Sequence, residues 1–383
     1  MSGENNQVLV VECKDYNIEL IKEKISAALK PLGGIESFVQ ENQTVLLKPN
    51  LLMAKKPEAG ITTHPAVVQA IAELVGELGA EVIIADSPGG PFNKTVMKRV
   101  YQKTGMSQVA QVTTANLNWN FASQTKDSSD AKILNKLTVG QFIAEADVII
   151  NLPKFKTHGL TKMTGGVKNM FGAVPGLLKA EYHMKMPQID NFSDALLDVA
   201  LATKTSLTIV DGITAMEGEG PSSGDKFQLN RLVIGVNPLA VDVAMADIVG
   251  IKPQAVATIA AAERRGLTHN IDQIEYLGIE TKLTEFKTPT IDSSAQLLDR
   301  RMPSFLARWI RKLVKPKPVF NDQRCIQCGA CITGCPPQVI SKTEEGVEAD
   351  LEGCIRCFCC QELCPEDAVD IHRPLLGKLL FGE

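Results

Sequence analysis

Cys325-Ile-Gln-Cys328-Gly-Ala-Cys331-Ile-Thr-Gly-Cys335-Pro336 is answered 29 residues later by Cys354-Ile-Arg-Cys357-Phe-Cys-Cys360-Gln-Glu-Leu-Cys364-Pro365. Three closely spaced thiolates on a tight turn can hold three corners of one iron–sulfur cube. A distant residue must close the fourth corner, so the last cysteine of each run reaches across to the other cube. The spacing predicts one [4Fe–4S] cluster on Cys325, Cys328, Cys331 and Cys364, and a second on Cys335, Cys354, Cys357 and Cys360. The two runs form an internal repeat, and apolar Ile340 and Val369 follow the two Cys-Pro turns at matching offsets. Zinc would use separate C-x2-4-C pairs with no third cysteine, and disulfides would require an oxidising compartment. Two clusters are therefore the expected cofactors.

Working outward, nine of the ten cysteines lie between 325 and 364, and only Cys13 lies elsewhere. Cys359 falls off the ligand spacing and reads as packing or a spare thiol. Thiolates dedicated to iron, an opening stretch without a basic or apolar signal run, and no apolar run near membrane-spanning length together point to the cytoplasm. Residues 318–372 carry ten Asp/Glu against three Lys/Arg, in a chain whose net charge is −4. An acidic cluster module is steered towards a basic patch on a redox partner protein and away from nucleic acid.

The rest of the chain alternates short β-runs with amphipathic helices, the pattern of an α/β fold. Expected strands include Val8–Val11, Thr44–Leu47, Glu81–Ala85, Asp147–Asn151, Leu207–Val210 and Leu232–Val236, with 123–130 read as a polar loop. The expected organisation is a large α/β domain with a mostly parallel sheet over 1–302. A basic amphipathic linker helix at 303–317, a small α+β two-cluster module at 318–372 and an apolar tail at 373–383 follow it. Packing of the linker and tail on the domains is favoured over contact with a membrane surface.

After the Asp147–Asn151 strand, residues 152–176 hold Lys154, Lys156, His158, Lys162 and Lys168 among small residues. Loops at the carboxyl ends of parallel strands are where such folds bind ligands. Gly165 and Gly166 let the backbone approach a ligand, Thr164 offers a hydroxyl, and the ammonium groups suit a small anion. No phosphate-loop spacing is present, so a nucleotide is not implied. Lys48 and Asn50, at another strand end, complete the expected substrate-binding set. Like charge from the lysines lowers the pKa of His158 and suits it to act as a neutral base. Asp211, Glu217 and Glu219 in the 211–224 stretch are candidate acids, and Asp242 a supporting one.

Leu47-Lys-Pro-Asn-Leu51, Leu152-Pro-Lys-Phe-Lys-Thr-His158, Thr164-Gly-Gly-Val-Lys-Asn-Met-Phe-Gly172, Asp211-Gly-Ile…Glu217-Gly-Glu-Gly-Pro221 and Asn237-Pro-Leu-Ala-Val-Asp242 resemble the family called domain of unknown function 362. In that family a two-cluster ferredoxin module is commonly appended. More distantly, His158…Thr164-Gly-Gly-Val-Lys168…Pro175-Gly176 resembles the lactate racemase pattern His…Ser-Gly-Gly-x-Lys…Pro-Gly. That likeness implies a related pocket, with Lys168 as a cofactor tether, His158 as a base and His183 as a further histidine. The racemase Gly-Thr-His signature is missing, so the nickel cofactor is not implied. The expected function is an iron–sulfur oxidoreductase passing electrons to a small anionic substrate, with His158 and Lys168 catalytic. The rival readings are a non-catalytic electron carrier or maturation partner, and a racemase-like isomerase.

Overall fold

A computed structural model describes residues 6–128, 130–267, 273–278, 285–288, 316–344, 346–372 and 374. The expected linker helix and apolar tail, apart from residues 316, 317 and 374, lie outside the described residues.

Strands β1 (Gln7–Glu12), β2 (Thr44–Pro49), β3 (Glu81–Ile84) and β4 (Asn116–Leu117) open the chain, and β5 (Ser123–Asp127) and β6 (Lys136–Gly140) form a separate hairpin. Next come β7 (Val148–Leu152), β8 (Lys154–His158), β9 (Lys162–Thr164), β10 (Leu207–Glu217), β11 (Asp225–Gly235) and β12 (Glu275–Gly278). The main sheet runs β12-β1-β11-β10-β7-β2-β3-β4, with β8 pairing β10 and β9. Every neighbour along that path is parallel except on the two sides of β11.

The alternation of strand side chains buries both faces of the sheet. Val45, Leu47, Ile150 and Ile209 point into a core shared with the helices Ile18–Leu29, Pro65–Gly76 and Lys94–Lys103. Their neighbours Leu46 and Ile149 point the other way, into a core shared with Ile189–Thr203 and Ala257–Arg264. Asn17, Asn93 and Asn237 cap helices through their side-chain oxygens, and His64 Nδ1 caps the Pro65 helix by accepting from Ala66 N.

Two sequence expectations need correction. The polar 123–130 stretch contains β5, paired with β6 along five residues. All five of its residues are exposed, so no hydrophobic alternation marks it as a strand. The 211–224 stretch, which its glycines suggest is a loop, is strand over its first half: β10 continues to Glu217 and pairs with β11, with a register shift between Gly212 and Thr214.

The cysteine-rich part folds from short elements: β13 (Lys317–Phe320), β14 (Ile340–Lys342), β15 (Val347–Ala349) and β16 (Val369–His372), with one-turn helices at Ala330–Thr333 and Cys359–Glu362. Pairing interleaves the repeat, since β13 joins β16 and β14 joins β15. Left-handed backbone recurs at the repeat offset, at Gln327 and Arg356, Gly329 and Phe358, Gln338 and Asp367.

Candidate functional site

Strand order reverses direction between β2 and β7: β3 and β4 follow on one side, β7 and β10 lie on the other. The carboxyl edge beside such a reversal is where open α/β sheets bind ligands. Here it is crossed by a buried polar chain. Asn50 Nδ2 donates to Asn169 Oδ1 at 2.9 Å, and Asn169 Nδ2 donates to Asn151 Oδ1 at 2.8 Å. Asn151 Nδ2 in turn donates to Gly166 O at 2.9 Å. Asp242 accepts from the N–H groups of Gly166 and Val167, which pins the Gly165–Gly166 turn. A Cβ on Gly165 would lie 2.1 Å from Asp242 Oδ1, so this glycine makes room for the protein's own carboxylate.

The lysines expected around a ligand divide into two groups. Lys48 Nζ donates to Asp86 Oδ1 at 2.7 Å. Lys154 Nζ donates to Asp211 Oδ2 and Tyr16 Oη, each at 2.9 Å. Lys156 Nζ donates to Asn50 Oδ1 at 2.9 Å and to Ile61 O at 2.7 Å. All three are buried, and their ammonium groups hold strand ends together instead of facing a cavity. Lys154, Lys156 and His158 share one face of β8, which is a strand where the sequence suggested a loop. Burial, reinforced by the charge of Lys168, lowers the Lys156 pKa to about 7. Lys162, at the start of β9, and Thr164, Gly165 and Gly166 also do not line the cavity. Of the acids beside the 211–224 stretch, Asp211 pairs with Lys154, and Glu217 Oε2 accepts from Lys287 N at 2.8 Å.

Lys168 belongs to the second group. A cavity of about 100 Å³ is lined by Asn50, Ser87, Gly89, Lys168, Lys179 and His183 from the α/β part, and by Gly334, Cys359, Glu362 and Leu363 from the cysteine-rich part. The Lys168 side chain makes no hydrogen bond or ion pair among the described residues. Burial lowers its pKa, while Glu362 opposes that shift. The N–H groups of Gly89 and Gly90 likewise meet no acceptor among the described residues. Ser87 Oγ accepts from Gly176 N at 2.8 Å and from Lys179 Nζ at 3.2 Å. Burial takes the Lys179 pKa to about 7, with Asp86 pulling it up and Lys48 pushing it down. His183 stacks on Phe192 with centroids 4.2 Å apart, and burial holds its pKa near 4.

His158 sits behind this cavity. Its Nδ1 accepts from Leu160 N at 3.1 Å, so the proton of the neutral ring resides on Nε2, which lies 3.0 Å from Glu362 Oε1. Burial first, and Lys168 second, depress the His158 pKa to about 4. Burial alone would raise the Glu362 carboxyl, but His158, Lys168 and His183 outweigh it and hold it at about 2. A neutral imidazole and an ionised carboxylate thus meet across the junction. Leu363 adds a packing contact: a Cβ on Gly89 would come within 2.8 Å of its Cδ2, and one on Gly334 within 2.0 Å of its Cδ1.

The cysteines surround two further cavities. One is lined by Cys325, Cys328, Cys331 and Cys364, the other by Cys335, Cys354, Cys357 and Cys360. Among the described residues no three His, Cys, Asp or Glu side chains converge on a single metal ion. Sulfurs spread around a hollow suit a polynuclear cluster better than one ion. Ala368 N donates to Cys364 Sγ at 3.1 Å and Gln327 N to Cys325 Sγ at 3.4 Å, the kind of bond that tunes cluster potential. Four thiols per cavity, with backbone N–H groups turned towards sulfur, fit an iron–sulfur cube.

The sequence drew attention to Lys168. It gave no reason to single out Lys179 or Glu362, one acid among ten in the cysteine-rich part. Cys359 lines the cavity beside Lys168, a place its off-pattern spacing leaves open.

These features define a class: an α/β protein with helices on both sheet faces, whose carboxyl sheet edge is closed by an iron–sulfur module. The chain belongs to the family described as Domain of unknown function (DUF362), matched over residues 45–247, and residues 317–365 match the 4Fe-4S dicluster domain. It is 35% identical over 270 residues to the Thylakoid-associated protein sll1697 of Synechocystis sp., covering 70% of this chain and 82% of that protein. Over 57 residues it is 37% identical to Pyruvate synthase subunit PorD of Methanothermobacter marburgensis, covering 15% of this chain and 67% of that subunit. Among solved structures, the lactate racemase apoprotein from Thermoanaerobacterium thermosaccharolyticum aligns with a TM-score of 0.39 at 12% identity, covering 60% of this chain and about half (54%) of that one. The protein is an iron–sulfur electron-transfer protein. Among the described residues no helix is long and apolar enough to cross a membrane.

Proposed function

We propose that this protein is a cytoplasmic oxidoreductase that carries two [4Fe–4S] clusters and passes their electrons to a small anion bound between the sheet edge and the cysteine-rich module. The observation that carries this reading is the shared wall of the cavity: Lys168 and His183 face Cys359 and Glu362 across it. Cys359 lies between Cys357 and Cys360 in sequence, and both of these line the second cysteine cavity. The clusters, when bound there, supply one-electron chemistry.

The chain's own groups do the rest. The Lys168 ammonium and the Gly89 and Gly90 N–H groups bind the anion, the side chain by charge and the backbone by direction. Lys179 Nζ, with its pKa near neutrality, can hold or release a proton beside Ser87 at working pH. Phe171 and Leu363 line the cavity and exclude water. His158 acts as a positioning residue for Glu362 rather than as a group facing the ligand. Asn50 keeps a place in the wall, whereas Lys48, Lys154 and Lys156 shape it from behind.

The test is anaerobic. Reconstituted protein is reduced and mixed with a panel of small carboxylates and oxoanions while cluster absorbance is followed. Wild type should be reoxidised by at least one member, and Lys168→Ala should lose that reaction at least tenfold while keeping its iron. Reoxidation that is equally fast in Lys168→Ala would sink the proposal. Reduction and reoxidation only by protein partners would favour the carrier reading.

A further inference from the structure

The two halves of the cysteine repeat place left-handed residues at matching positions but have unequal access to solvent. Ile326 is 59% exposed and Cys328 is also exposed, while their repeat counterparts Ile355 and Cys357 are partly buried. The inequality continues along the turn. Gly329, Ala330 and Cys331 are partly buried, whereas Phe358, Cys359 and Cys360 are buried. The cause is the junction already described: Glu362, Leu363 and Cys359 press against the α/β part, and Lys55 Nζ reaches Asp367 Oδ2 at 2.9 Å. One end of the module is closed by the chain itself. The other presents an exposed aliphatic side chain directly beside a cysteine ligand.

Charge around the open end is acidic. Glu366 lines the same cysteine cavity as Ile326 and Cys328. Asp322, three residues before Cys325, is exposed. Neither carboxylate makes an ion pair among the described residues. Arg324, beside Cys325 in the same turn, is bound to Asp370. An apolar centre with unpaired carboxylates at its rim, set over a redox centre, is the complement of an electron-transfer protein with a basic rim.

We infer that the Ile326–Cys328 turn is the electron entry port of this protein, and that it docks a redox protein whose own centre is ringed by Lys and Arg. Electrons then enter at the Cys325, Cys328, Cys331 and Cys364 cavity and leave towards the ligand cavity past Cys357 and Cys359. The inference rests on the proposed two-cluster reading, and it adds a direction to it.

Cytochrome c, a small haem protein with a basic rim, serves as the probe. The holoprotein is reduced photochemically, and the second-order rate of cytochrome c reduction is measured against ionic strength. Iron content is determined first for every variant. The rate should fall steeply with salt. Glu366→Lys should lower the low-salt rate about tenfold or more, the size of a steering effect, and Ile326→Ala several-fold at every salt concentration. Glu23→Lys makes the same change in net charge on an exposed part of the Ile18–Leu29 helix and should leave the rate within twofold of wild type. Glu366→Gln, a milder change, covers the case in which Glu366→Lys fails to load iron, and should give an intermediate rate. Equal slowing by Glu23→Lys and Glu366→Lys, or no effect of either Ile326→Ala or Glu366→Gln, overturns the port. A holoprotein with about four irons overturns the two-cluster reading instead, so the two failures are distinguishable.

Discussion

Replacing Gly172 with Ala should destabilise the fold far more than a methyl group normally does. The new Cβ would lie 2.0 Å from Asp86 Oδ1 and 2.7 Å from Lys48 Nζ. Neither partner can move aside cheaply. Asp86 Oδ1 accepts from Lys48 Nζ and Oδ2 accepts from Leu51 N, both at 2.7 Å. The Lys48 side chain is 0% exposed and that of Asp86 5%. To admit the methyl, the carboxylate must leave Lys48, which would keep only Pro49 O at 3.1 Å. Breaking one side of a buried ion pair costs about 3–5 kcal/mol. A Gly→Ala change at a compatible site usually gains about 0.4–1 kcal/mol, so the sign itself is diagnostic. Urea denaturation followed by far-UV circular dichroism should show a midpoint lowered by about 1 M or more. In an Asp86→Ala background, where the 2.0 Å contact is gone and only the far end of the flexible Lys48 side chain must shift, the same change should cost less than about 1 kcal/mol. A Gly172→Ala protein within about 0.5 kcal/mol of wild type, or an equal loss in both backgrounds, would refute the reasoning.

Two further outcomes follow from named contacts. The buried Asp242 carboxyl has its pKa raised to about 7 from the usual 3.8 by desolvation, against the pull of the Gly166 and Val167 N–H groups. The folded state therefore holds a proton that the unfolded state releases, and stability falls as pH rises from about 4 to about 7. Wild type should lose on the order of 2 kcal/mol between pH 5.5 and 8 through this group, and Asp242→Asn should flatten that slope when denaturation midpoints are compared. Gly89→Ala would push a methyl to 2.8 Å from Leu363 Cδ2. It should weaken docking of the cysteine-rich module by about 1–3 kcal/mol, seen as faster proteolysis at the junction, with rescue by Leu363→Ala.

What the sequence made legible was whatever is local. Thiol spacing groups the cysteines as the two cavities do, because a one-turn helix fixes which sulfurs can meet. The β-runs at Val45–Leu47 and Val148–Ile150 show as apolar blocks because both of their faces are buried. The lysines were harder. Lys48, Lys154 and Lys156 look like an anion site in one dimension, since their partners Asp86, Asp211 and Asn50 lie 38, 57 and 106 residues away. The alternation Lys154-Phe-Lys156-Thr-His158 was the available signal that this stretch is a strand with one polar buried face. Glu362 and Lys179 carry no local mark at all, because their roles arise only when the module folds back on the sheet edge.

The central claim is that a second iron–sulfur cube lies against the ligand cavity, and iron anomalous diffraction from anaerobically reconstituted crystals tests it most directly. The account predicts two iron peaks, one among Cys325, Cys328, Cys331 and Cys364 and one among Cys335, Cys354, Cys357 and Cys360, the latter beside Cys359 with Glu362 still against His158. A single peak, or a module turned so that Cys359 no longer faces Lys168, would contradict it.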